Sequence, residues 1–111
     1  MDKLENYRNC IRTLLREHSQ HKHRNDDVDI ELVFDTEHDH YQLMYVGWKR
    51  LTRIYHTVLH FNIRNDKIWL QQNTTDIDVG QELIDMGIAK DDIVLGIHPP
   101  YKRPYTGYGV A

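Results

Sequence analysis

The apolar residues Leu4, Tyr7, Cys10, Ile11, Leu14 and Leu15 recur at steps of three and four, a spacing that predicts one amphipathic helix over residues 2–19. Residues 18–27 hold no apolar side chain and read as a solvated, His-rich connection. From Val28 the period changes to two. Val28, Ile30, Leu32 and Phe34 alternate with Asp29, Glu31, Val33 and Asp35, the pattern of a half-buried strand. After a turn at 37–39 a second strand is predicted over 41–46. Its facing stays open, because Tyr41, Leu43 and Tyr45 compete with Met44 and Val46 for the core. A third strand over 53–64 places Tyr55, Leu59, Phe61 and Ile63 on one side and His56, His60 and Asn62 on the other. Asn65-Asp66 forms a tight turn into a fourth strand, 67–73. With those two residues as the loop, Ile63 lies opposite Ile68, Phe61 opposite Leu70, Asn62 opposite Trp69 and His60 opposite Gln71.

Thr74, Thr75 and Asp76 offer caps for a second helix over 76–86 that carries Ile77, Val79, Leu83, Ile84 and Met86, with Gly87 where a left-handed residue ends a helix. Residues 91–96 fit a short turn or extended segment, and Pro99-Pro100 stops regular structure after them. The tail from Tyr101 has no period. Strands that run together instead of alternating with helices predict an α+β two-layer sandwich. Its order is α-β-β-β-β-α, a four-stranded antiparallel meander with both helices on one face, in a single domain over 1–111.

A net charge of 14 − 17 = −3 argues against a surface devoted to nucleic-acid phosphate, though a local basic patch survives that sum. No apolar run is long enough to span a bilayer, and no h-region follows the first residues, so a cytoplasmic location is expected without membrane attachment. The single cysteine, Cys10, falls on the apolar stripe of the first helix and reads as inert core in a reducing compartment. Among eight histidines, His18, His21 and His23 could chelate only if their segment folded back, and no structural zinc spacing is present. His56 and His60, four residues apart on one strand face, lie ~13 Å from one another, too far to share a metal. Neither metal nor cofactor is expected. Asp35, Glu37, His38 and Asp39 are the candidates for acid/base work, but a polar turn explains them equally well. With no nucleophile elbow, P-loop or metalloprotease helix, the expectation is a non-enzyme.

The hairpin register sends Trp69 away from the helices, beside His56, His60, Asn62 and Gln71. A tryptophan on a wet sheet face is either a partner-binding anchor or is covered by the tail through Tyr101, Tyr105 and Tyr108. A second surface is the interleaved set Tyr101, Lys102, Arg103 and Tyr105, which could hold phosphate and stack on bases. Lys49, Arg50 and Arg53 form another small basic cluster at the turn between the second and third strands.

The run Phe34-Asp-Thr-Glu-His-Asp-His-Tyr-Gln-Leu-Met, then Gly47-Trp48, Leu59-His-Phe-Asn-Ile and Lys67-Ile-Trp-Leu-Gln, resembles the XisI family of fdxN element excision controlling factors. Thr75-Asp-Ile-Asp-Val-Gly-Gln-Glu-Leu, Asp92-Ile-Val-Leu-Gly, His98-Pro-Pro-Tyr-Lys-Arg and the ending Thr106-Gly-Tyr-Gly-Val-Ala extend the resemblance over nearly the whole chain. It implies a small α+β accessory protein, mainly cyanobacterial, that assists programmed DNA excision during heterocyst differentiation. Such a protein would act beside a separate recombinase and a XisH-like partner. From the residues themselves, the net charge leads us to expect DNA to be contacted only weakly or indirectly, and the Trp69 face is expected to serve a partner or a homo-oligomer. The family offers no catalytic or ligand-binding residues to carry over.

Overall fold

A computed structural model describes residues 2–20 and 27–111. Helix α1 spans Lys3–His18, its first turn capped by the Asp2 carboxylate, which accepts from the Leu4 amide at 3.2 Å. Strands β1 (Asp27–Asp35), β2 (His40–Lys49), β3 (Thr52–Arg64) and β4 (Lys67–Asn73) form the expected antiparallel meander. Helix α2 (Val79–Asp85) then returns the chain to a fifth strand, β5 (Ile93–Leu95), parallel to β4. The sheet therefore has five strands in the order β1-β2-β3-β4-β5, one more than the sequence pattern predicts. Ile93 and Val94 are both fully buried. A three-residue strand shielded on both faces has no alternation to betray it, and the parallel pairing is possible because α2 serves as the crossover.

The β3–β4 hairpin closes through Asn65 and Asp66, with φ of 53° and 62°. Two successive left-handed residues make the turn whose twist matches antiparallel strands. Phe61 pairs with Leu70, Ile63 with Ile68 and Asn62 with Trp69, as the apolar patterns require. The register then shifts, so His60 meets Gln72 instead of Gln71. A second shift has larger consequences. Leu43 pairs with Leu59 but Met44 pairs with Thr57, which leaves Val58 as an extra residue in β3. Val58 and Leu59 are both buried, at 3% and 1% exposure. The sequence reading of β3 as one uninterrupted alternation is thus corrected. One inserted residue reverses every side chain before it, so Tyr55 joins the face of His60, and His56 moves to the helix side opposite Tyr45.

The open question of β2 is answered by Tyr41 and Leu43, which are buried, while Met44 and Val46 face the other way. Both helices lie on the Tyr41 side. Ile11, Leu14 and Leu15 of α1 and Val79 and Leu83 of α2 enclose Leu43, Phe61, Ile68 and Ile93 in one core. The α2 cap is Asp78, whose side chain accepts from the Gln81 amide at 3.1 Å, and not the residues at 74–76. Asn73 and Thr75 instead hold the preceding turn: Asn73 accepts from the Thr75 amide, and the Thr75 hydroxyl from the Ile77 amide. At the other end Gly87, at φ 99°, lets Ile88 and Gly87 donate back to Leu83 and Ile84.

Three polar links fix α1. Arg8 grips Asp39 with two hydrogen bonds of 2.7 and 3.1 Å, while the Tyr41 hydroxyl donates to the same carboxylate at 2.9 Å. Tyr7 and Lys3 share Asp92, and His18 meets Glu82 at 2.9 Å. The Arg8 hydrogen bonds hold the Asp39 carboxyl below the usual carboxylate range, and burial, ahead of the Asp39 bond, pushes the Tyr41 phenol up to about 12.

Two outcomes follow from this packing. Phe61→Ala should cost about 3–5 kcal/mol in denaturant unfolding, since an aromatic core truncation loses transfer energy and leaves a cavity. Because the folded-state pKa of Asp39 is depressed, its contribution is present above its unfolded value and is lost as pH falls through the folded one. An acid-unfolding series should accordingly lose stability below about pH 4, with Arg8→Leu flattening that limb while lowering stability at neutral pH.

Candidate functional site

The face of the sheet away from the helices has two halves. The half over β4 is closed by the chain's own end. Pro100–Tyr105 forms a 3-10 turn, and Gly109 pairs beside Val94, donating to the Ile93 carbonyl at 2.8 Å. That approach needs glycine, since a Cβ there would stand 2.3 Å from the Asp91 carbonyl oxygen. Trp69 is only 6% exposed. Its indole donates to the Arg64 carbonyl at 3.2 Å, and the guanidinium groups of Arg64 and Arg103 lie 4.8 and 5.1 Å from the ring centroid. Arg103 in turn donates to the His98 carbonyl at 3.0 Å, tying the turn to the sheet.

The predicted group of Trp69, Asn62, Gln71 and His60 does share this face. Asn62 is buried and accepts from the Gln71 amide at 2.8 Å. His60 sits 3.1 Å from His40, ring nitrogen to ring nitrogen, and burial together with that neighbour lowers its pKa. His56 is not a member, because the Val58 bulge puts it across the sheet, its ring 5.5 Å from that of Tyr45. Nor do the tail tyrosines cover Trp69. Tyr101 and Tyr105 are exposed, and Tyr108 lies against Gly80 and Lys90. The second predicted set is therefore split: Tyr101, Lys102 and Tyr105 face solvent, while Arg103 is spent on the indole.

The other half of the face, over β1 to β3, is left uncovered by the described residues. Trp48 and Tyr55 are 49% and 64% exposed, with the Arg53 guanidinium 5.4 and 5.7 Å from their ring centroids. Val46 and Met44 continue the apolar row along β2, and Val33 extends it on β1. Beside them runs an acidic row, Asp27, Asp29 and Glu31, on the outward positions of β1. Sequence reasoning missed this surface. The signal was present in the adjacent Val58-Leu59 pair and in Trp48, which shares its facing with Met44 and Val46. On the helix side a cavity of about 360 Å³ lies among Val28, Tyr45, Ile54, His56, Val58 and Thr75.

Against known proteins, the family model described as XisI protein matches residues 1–110. The chain belongs to the XisI family. A XisI-like protein from Anabaena variabilis ATCC 29413 shares 47% identity with it, over 99% of this chain and 100% of that one, with a TM-score of 0.92. The fdxN element excision controlling factor XisI of the same organism shares 32% over 99% of this chain and 100% of that one, with a TM-score of 0.87. Among curated proteins nothing matches.

In this XisI-family chain the acid/base candidates are occupied in the turn. Asp35 accepts from the Glu37 and His38 amides and from the His38 ring, bonds that lower its pKa, and Asp39 belongs to the Arg8 clamp. Burial raises the Cys10 thiol, which makes it a poor nucleophile. Among the described residues no group of three or more metal-ligating side chains comes together. His21 and His23 lie outside those residues, and His18 is engaged with Glu82.

The burial of Trp69 yields a test. Trp69→Ala should destabilise by about 3–5 kcal/mol and expose the 100–111 segment to limited proteolysis, since the tail loses the ring on which Arg103 rests. A variant that melts and digests like the parent would show the tail to be held elsewhere.

Proposed function

We propose that this XisI-family chain is a controlling factor in the excision of an fdxN-type DNA element, acting by protein contact and not by chemistry of its own. The neighbour named for that role supports the first part through 32% identity across nearly the whole of both chains. The observation that carries the second is the half of the sheet face that the described residues leave uncovered, where Trp48 and Tyr55 stand in solvent beside a half-buried Val46 although the half over β4 is sealed. Exposed apolar rows of this kind are the usual anchors of protein interfaces. The carboxylates nearest to the histidine of the first hairpin hold the fold together, which leaves them unavailable as a general base. The partners are a XisH-like protein and, through it, a separate recombinase. The setting is the cytoplasm of a cyanobacterial cell, where the chromosome lies.

A direct DNA-binding tail is the second reading, favoured by the exposed Tyr101, Lys102 and Tyr105. With Arg103 turned inward and a net charge of −3, a lone Lys102 supplies little phosphate neutralisation. The deciding experiment is an excision reporter in cells supplied with the recombinase, a XisH-like protein and variants of this chain. Trp48→Asp should reduce excision at least tenfold with protein level and melting temperature unchanged, whereas Lys102→Ala should leave it intact. Full excision with Trp48→Asp, or loss with Lys102→Ala, would reverse the assignment.

A further inference from the structure

We infer that the uncovered half of the sheet face is a homodimer interface in which β1 of one copy lies across β3 of the other, about a twofold axis parallel to β2. The inference rests on the reading of that face as a protein-contact surface and names its occupant. The patch is ordered in levels across three strands. Asp27, Trp48 and Arg53 share one level, Asp29, Val46 and Tyr55 the next, and Glu31, Met44 and Thr57 the third. Acidic residues thus line one side, apolar residues the middle, and a cation with a phenol the other.

That layout discriminates among packings. Two such faces related by a twofold axis perpendicular to the strands would stack each acidic row on its own copy, a repulsive arrangement. An axis parallel to β2 instead sets Asp27 and Asp29 over Arg53 and Tyr55 of the second copy, twice, while Val46 and Trp48 meet their own counterparts on the axis. Edge-to-edge pairing of β1 fails by the same charge rule, because an edge strand bearing Asp27, Asp29 and Glu31 would align like charges across the new ladder. The acidic row equally opposes phosphate, which sets nucleic acid and anionic lipid aside as occupants. Three strands about 4.8 Å apart and levels about 7 Å apart give a patch of ~14 by ~20 Å, below the size of a standard interface, so the dimer is a weak, reversible one.

The experiment is sedimentation equilibrium on the full chain with two charge-reversed variants. Asp27→Arg combined with Asp29→Arg places one cation against Arg53 of the second copy and another next to it over Tyr55, and Arg53→Asp places an acid against the acidic row. Each variant alone should weaken dimerisation at least tenfold while melting like the parent under dilute, monomeric conditions. An equimolar mixture should restore a heterodimer, since both cross-copy contacts then join opposite charges. The inference is overturned by a parent that stays monomeric at several hundred micromolar, by variants that dimerise unimpaired, or by variants that weaken but are not rescued on mixing. A monomeric parent whose Trp48→Asp variant still abolishes excision would leave the protein-contact reading standing and remove only the second copy as occupant.

Discussion

Everything outside the core follows from an imbalance of cover: the sheet has five strands and two faces, and the described residues form two α-helices, both committed to one of them. The helix side is shielded as in any two-layer fold, with Ile11, Leu14, Leu15 and Leu83 fully buried against it. Among the described residues, the other side receives only the last dozen. These reach over β4 as far as Trp69, held through Arg103 and through the Gly109 pairing beside β5. Beyond that reach the described residues leave the sheet bare, with Trp48 and Tyr55 exposed.

The closed half shows how a short tail can seal a tryptophan without apolar bulk of its own. Two guanidinium groups flank the indole, and its N–H finds a backbone carbonyl, so the ring is shielded and its polar handle satisfied at once. The same tail residues were attractive as a nucleic-acid site because Tyr101, Lys102, Arg103 and Tyr105 sit close in sequence. Their separation in space removes the strongest cation from that set.

The β3–β4 hairpin was legible in the sequence because two independent apolar patterns agree through a two-residue turn. Only one register buries Phe61, Ile63, Ile68 and Leu70 together. The same argument failed three residues before Phe61. Period-two reasoning assumes an unbroken ladder, and a single extra residue at Val58 exchanges the faces of His56 and Tyr55. Strand β5 was hidden because burial on both sides erases alternation, and the α2 cap was misplaced by two residues because several adjacent side chains can all cap. Trp69 was placed on the correct face, but the residue that covers it was not foreseen. A cation–π contact from Arg103 leaves no periodic trace in the sequence.

The two tryptophans stand on opposite sides of the account's central claim, one sealed by the tail and one half exposed on the open part of the face. Fluorine NMR of the chain labelled with 5-fluorotryptophan, read as the solvent isotope shift between water and deuterated water, observes both without mutation. At low concentration Trp48 should show a large shift and Trp69 almost none; as the protein associates, the Trp48 shift should fall while Trp69 stays constant. A large shift at Trp69, or a Trp48 shift that persists unchanged through association, would contradict the account.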